Sequence, residues 1–157
     1  MLSVPLLKQK TGYTCGPTCI AMLAKFYGVK ISWKTIMRAS KCNKDGVSNR
    51  RFAAALQTLG FLVRARNRCN WQDLRRNYGR GFPVVVEWMY GYVGHFSIVV
   101  AVGKRHIVLA DPDTGRRGRL SKDVFMRLWF DFNTDFFSVK RRNVHLRWAA
   151  VVSGVRQ

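Results

Sequence analysis

The sequence predicts an α+β fold, a helical first half packed on an antiparallel β second half with a cleft between them. Two observations carry this expectation. Residues 15–60 read as three helices, two of them preceded by serine caps and two closed by glycine, whereas from Phe61 onward the apolar residues alternate or gather in β-branched runs. The runs Gly94–Gly103 and Arg105–Asp111 stand on either side of a Gly103–Lys104 turn, which reads as a hairpin.

Taken in order, the first helix starts at Cys15 and runs to about Tyr27, stopping at Gly28. Pro17 suits its first turn, where a missing N–H costs nothing. Ser32 caps a second helix that reaches Ala39. Ser48 caps a third within Gly46–Gly60. Phe61–Arg66 alternates apolar and basic residues, as a strand with one solvated face does. Trp71–Tyr78 is a short helix and Phe82–Met89 a strand. Arg116–Leu120 is expected as a turn, and Ser121 caps a last helix whose Phe125, Leu128 and Trp129 form a core stripe. In the tail 131–157, the alternation of Val144–Trp148 and the apolar Ala149–Val152 fit a further strand or a partner-binding segment.

A chain of 157 residues, 48% apolar and 13% aromatic, can bury the core of one domain spanning 1–157. No apolar run approaches the ~20 residues of a membrane span. The opening Met1–Lys8 has no long apolar stretch and no cleavage site. Reduced thiols in a cytoplasmic setting are therefore expected for the four cysteines. Their spacings contain no Cys-x-x-Cys pair and match no common zinc arrangement, so neither metal nor cofactor is expected.

The chemistry gathers around Cys15. It sits in Gln9-Lys-Thr-Gly-Tyr-Thr-Cys15-Gly16-Pro17-Thr18, at a helix start where the positive end of the dipole favours a thiolate. Of His95, His106 and His145, only His95 stands in a suggestive place, opening the first hairpin strand while Asp111 closes the second. Hairpin residues at those two positions lie side by side, so Asp111 could orient the imidazole toward a thiol. Asp113, two residues into the turn, competes for the same role. Cys19, one helical turn behind Cys15, reads as core.

These residues resemble the bacteriocin-processing, double-glycine-leader peptidases, a branch of the papain-like cysteine peptidases. Gln9…Cys15-Gly16-Pro17-Thr18, Gly94-His95-Phe96 opening a Val-rich strand, and Asp111-Pro112 closing the next carry the resemblance, which covers about residues 6–130. It implies Cys15 as nucleophile, His95 as general base and then acid, Asp111 as its orienting partner, and the Gln9 amide with the Cys15 backbone N–H as oxyanion hole. It also implies peptide substrates cut after Gly-Gly and, without a membrane span here, either a free-standing peptidase or a subunit working beside a separate exporter.

The charge stands apart from this resemblance. Lysine and arginine total 28 against 8 acids, a net +20, with clusters at Arg64, Arg66, Arg68, Arg75, Arg76 and Arg80 and at Arg116, Arg117, Arg119, Lys140, Arg141 and Arg142. Such patches attract nucleic acid or an anionic membrane surface. The rival to a peptidase is thus a non-enzymatic polyanion-binding module on the same scaffold.

Overall fold

The computed structural model of the protein describes residues 1–132 and 144–156. Three helices come first: α1 (Cys15–Phe26), α2 (Trp33–Ser40) and α3 (Asn49–Thr58). The anticipated caps are in place, with Ser32 Oγ accepting the Thr35 N–H at 3.1 Å and Ser48 Oγ the Arg51 N–H at 3.3 Å. Strand β1 (Phe61–Arg66) leads to α4 (Trp71–Gly79), which starts on reciprocal Asn70–Asp73 hydrogen bonds, a signal missed in the sequence. Then follow β2 (Val84–Tyr90), β3 (Val93–Val102), β4 (His106–Asp111), β5 (Arg116–Ser121) and α5 (Lys122–Leu128). Three strands close the chain: β6 (Phe130–Phe132), β7 (Val144–Leu146) and β8 (Ala149–Val155).

Six strands form one antiparallel sheet in the order β1-β8-β2-β3-β4-β5, and β6 pairs with β7 beside it. The α+β class is as expected, but the helices are not confined to the first half. Every residue of β2 from Val84 to Met89 is buried, so the sheet must be covered on both faces. Val85, Ile98, Val100 and Ala150 pack with Ile20, Leu23 and Phe52 from α1 and α3. The alternate side chains Val84, Val86, Trp88 and Leu109 pack with Trp71, Leu74, Phe125 and Trp129. Helices α4 and α5 therefore cover the face that α1 and α3 leave open.

Arg116–Leu120 is a strand, not a turn. The turn lies just before it, where the Gly115 N–H reaches the Asp111 carbonyl at 2.9 Å and Gly115 takes φ +65. The chain then returns along β4 as an edge strand, and its exposed Arg116, Arg117 and Arg119 keep that open edge in water.

The C-terminal segment is a strand of the sheet rather than an appended partner-binding piece. Strand β8 fills the gap between β1 and β2, with Ala150 opposite Val85 on one side and Val151 opposite Arg64 on the other. On the face shared with α4, Arg64, Arg66, Arg76 and Arg80 rim a cavity of about 910 Å³ floored by Val84, Ala149 and Val151. Asp73 bridges Arg66 at 2.9 Å and Arg76 at 3.5 Å. Lys140, Arg141 and Arg142 lie outside the described residues. Among the described residues no helix is long and apolar enough to cross a membrane.

This topology makes the last strand indispensable. A chain ended after Trp148 leaves β1 and β2 without their shared neighbour. It is expected to lose its cooperative thermal transition by circular dichroism, and a retained sharp transition would contradict the assignment.

Candidate active site

Helix α1 begins at Cys15 itself. Thr14 stands at the cap position but its side chain makes no capping bond, because Oγ1 turns back to the Thr11 carbonyl at 3.1 Å. Pro17 has no N–H to offer. The first-turn N–H groups of Cys15 and Gly16 are thus left without a side-chain partner at the positive end of the helix. A Cβ on Gly16 would touch Phe96 at 3.4 Å and Phe52 and Val47 at 3.5 Å, so the helix start lies close on β3. The Cys15 side of α1 borders a cleft of about 390 Å³ that Gly12, Tyr13 and Gly94 also line.

His95 and Asp111 meet, though not by the register expected. His95 lies inside β3, opposite Trp88, and Ile98 faces Ala110 across the hairpin. Asp111 is therefore nearest in level to Ser97, and reaches His95 diagonally. Nε2 of His95 lies 2.6 Å from Asp111 Oδ1, and both side chains are buried. Asp113 does not compete: its backbone N–H donates to Asp111 Oδ1 at 3.0 Å. Thr114 Oγ1 donates to the other carboxylate oxygen at 3.3 Å. The imidazole is further fixed by Tyr90, with ring centroids 5.0 Å apart, and by Trp88 at 6.0 Å. Trp88 is itself tied through its indole N–H to Ser97 Oγ at 3.0 Å.

With Nε2 on Asp111, Nδ1 is the nitrogen left for Cys15, which lies near enough to the imidazole to raise its pKa. Burial alone would lower the imidazole's pKa. The Asp111 hydrogen bond and charge, with Cys15 close by, outweigh that and push it up to about 9. The same pair holds Asp111 low: burial opposes its charge, but the His95 hydrogen bond and cation prevail, helped by the Asp113 N–H and Thr114. An imidazolium beside Sγ is the partner a thiolate nucleophile needs.

Gln9 is tethered to the same turn. Its backbone N–H donates to the Pro112 carbonyl at 2.7 Å, next to Asp111, and Nε2 donates to the Thr11 carbonyl at 2.9 Å. Among the described residues one Nε2 hydrogen therefore remains for a ligand, while Oε1 is buried without a partner. Cys19 is core, as expected: fully buried, its thiol 3.5 Å from the Phe96 carbonyl and pushed well up, chiefly by burial. All four cysteines are free.

Sequence reasoning missed a buried polar group beside this cleft. Asn49 Nδ2 donates to Glu87 Oε2 at 2.7 Å and lies 2.7 Å from His145 Nδ1, which is itself 3.3 Å from Glu87. Asp131 adjoins Glu87, and its pKa is raised to about 7 by burial and by the charge and hydrogen bond of Glu87. The signal was Glu87 itself, one carboxylate in the otherwise apolar Val84–Met89 strand, which burial obliges to find partners.

A helix-borne cysteine beside a strand-borne histidine and aspartate is a set that can carry nucleophilic chemistry. Residues 3–133 match the model of the peptidase C39 family. The chain belongs to that family and is a cysteine peptidase. An uncharacterized protein of Methanothermobacter marburgensis is 29% identical over 124 residues, 79% of this chain and 82% of that one. A probable microcin-H47 secretion/processing ATP-binding protein of Escherichia coli is 26% identical over 73% of this chain but only 15% of its own length. Among solved structures, the peptidase domain of Streptococcus ComA, a bi-functional ABC transporter of a quorum-sensing pathway, superposes with a TM-score of 0.75 at 24% identity, covering 98% of this chain and 99% of that one. A double glycine motif protease from an AMS/PCAT transporter, in complex with the leader peptide, gives 0.72 at 15% identity over 98% and 93%.

The raised histidine fixes a stability signature. Because the folded pKa of about 9 exceeds the ordinary 6.5, the pair's contribution is complete below 6.5 and is lost as pH rises through 9. Asp111→Asn should therefore be less stable than wild type at pH 6, with the gap narrowing by pH 9.5. Parallel thermal melts across that range check it, and a constant gap would refute it.

Proposed function

We propose that the protein hydrolyses peptide bonds through Cys15, His95 and Asp111, with Gln9 as an oxyanion donor, and that its substrates are leader peptides cut after Gly-Gly. The observation that carries the chemistry is the buried 2.6 Å His95–Asp111 bond, with Cys15 near enough to the imidazole to raise its pKa. The substrate class is supported by the leader-bound double glycine protease and the microcin-processing protein among the similar chains.

In this reading Cys15 Sγ, paired with the His95 imidazolium, attacks the scissile carbonyl carbon. The new C–S bond places negative charge on the carbonyl oxygen, which the Cys15 N–H and Gln9 Nε2 stabilise. His95 gives its proton to the departing amine as the C–N bond breaks, leaving a thioester. Water then attacks that carbonyl while His95 takes its proton. Collapse of the second tetrahedral adduct breaks the C–S bond and releases the carboxylate, and the thiolate–imidazolium pair is restored. Asp111 keeps the imidazole in one orientation and stabilises its charge throughout.

Residues 1–157 act as one peptidase domain, in the reducing cytoplasm that their four free thiols suit. Nothing at the site or among the similar proteins favours a non-enzymatic polyanion-binding module.

Wild type and Cys15→Ala, each mixed with diverse peptides that include Gly-Gly leaders, should differ absolutely by mass spectrometry: new termini after Gly-Gly in the first and none in the second. Two inert proteins would defeat the proposal. Gln9→Ala should lower turnover by roughly 100- to 1,000-fold. The kcat/KM profile should fall above about pH 9, where His95 loses the proton that the leaving amine requires. A profile flat to pH 10 would remove His95 from that role.

A further inference from the structure

On the face of the sheet turned toward α1, residues of β2 and β3 stand opposite one another in pairs: Glu87 with Phe96, and Met89 with Gly94. Gly94 leaves a gap in that row, directly before His95. The gap is not empty, because β6 lays Asp131 across it. A Cβ built on Gly94 would fall on the carboxyl of Asp131, overlapping both its oxygens and Cγ. Gly94 and Asp131 line one side of the Cys15 cleft, and Gly12, Tyr13 and Val47 line other parts of it.

The carboxyl is held in place from behind. It adjoins Glu87, which is itself held by Asn49 at 2.7 Å and His145 at 3.3 Å. Glu87 and Asn49 are both buried, and β7 carries His145 opposite Asp131 in the β6–β7 ribbon. With a pKa near 7, the Asp131 carboxyl keeps its proton through the acidic range and half of it at neutrality, so it has no strong pull toward solvent. A short side chain, clamped by a second carboxyl and pressed on a glycine backbone, makes a wall of fixed position.

We propose that Asp131 is a specificity-determining residue of this peptidase. Its carboxyl fills the volume over Gly94 that a side chain flanking the scissile carbonyl would otherwise enter, and so restricts that position to glycine. The inference rests on the Gly-Gly reading of the substrate. Gly94 and Asp131 act together: the glycine lets the carboxyl approach, and the carboxyl closes the space the glycine leaves.

The test compares wild type, Asp131→Ala and Asp131→Asn on one Gly-Gly leader peptide and on peptides with alanine at each of the two positions on either side of the cut. Opening one methyl-sized space should raise the relative kcat/KM of Asp131→Ala for at least one alanine peptide by roughly 10-fold or more. Asp131→Asn preserves the volume and should keep the wild-type profile. Profiles that are the same in wild type and Asp131→Ala would overturn the proposal, as would Asp131→Asn relaxing as far as the alanine variant. Should Asp131→Ala fail to fold by thermal melt, Gly94→Ala and Gly94→Ala/Asp131→Ser carry the same test. The single variant should lose cleavage through the clash and the pair should recover it, and no recovery would overturn the contact. Wild type that cuts no Gly-Gly peptide would remove the parent reading and this one together. Wild type that cuts it, with unchanged profiles in the variants, would remove this one alone.

Discussion

Strand β3 is bonded on both edges and buried on both faces, and the site is only as fixed as that strand. It pairs with β2 along seven residues and with β4 beyond Ile98, while Phe96, Ile98 and Val100 point into one core and Val99 and Val102 into the other. A strand so enclosed cannot rotate or slip, since a one-residue shift would exchange its faces and expose both cores. His95 inherits that rigidity. The bulge between Val99 and Ala101 moves Val102 to the same face as Val99, and the residues on the near side of it keep the alternation that puts His95 level with Trp88. The 2.6 Å bond to Asp111 depends on that placement, because Asp111 ends its own strand and can reach only diagonally.

Much of this was legible in the chain and some was not, for reasons that differ by residue. Cys15, His95 and Asp111 could be read because each stands at a punctuated place: a helix start before Gly-Pro, a strand opening after glycine, a strand end before proline. The caps Ser32, Ser48 and Ser121 could be read because capping is a local bond within three residues. Strand β5 could not, since Arg116-Arg-Gly-Arg has little strand character of its own and pairs only because β4 offers an edge. The place of β8 was likewise hidden. Its apolar run announced a strand, but nothing local says that it inserts between β1 and β2. The Asn49–Glu87–His145–Asp131 group joins four elements far apart in sequence, and only Glu87's isolation in a valine-rich strand hinted at it.

The charges are segregated within the molecule. Against a net +20, five of the eight acids (Asp45, Glu87, Asp111, Asp113 and Asp131) lie at or beside the Cys15 cleft, whereas arginines rim the opposite sheet face and occupy the β5 edge. The electrostatics of the cleft are local: the shifts of His95, Asp111 and Asp131 trace to burial and to neighbouring groups, although Lys44 also lines the cleft.

Asp111 and Asp131 show how local. Asp111 ends β4 of the large sheet and Asp131 sits in the β6–β7 ribbon beside it; both lie near β3, and burial opposes the charge of each. Asp111 is nonetheless held low, because the imidazolium of His95, the Asp113 N–H and the Thr114 hydroxyl all converge on its oxygens. Asp131 is pushed to about 7, because its close neighbour is another carboxylate and the His145 cation behind it only partly offsets that charge. One carboxyl is thus kept ionised beside a protonated His95, and the other holds its proton far longer than an ordinary carboxyl does as pH rises. The fold separates the two by a single choice at Gly94. Without a side chain there, Asp131 can settle between β2 and β3 beside Glu87, and His95, one residue on, is left to Asp111.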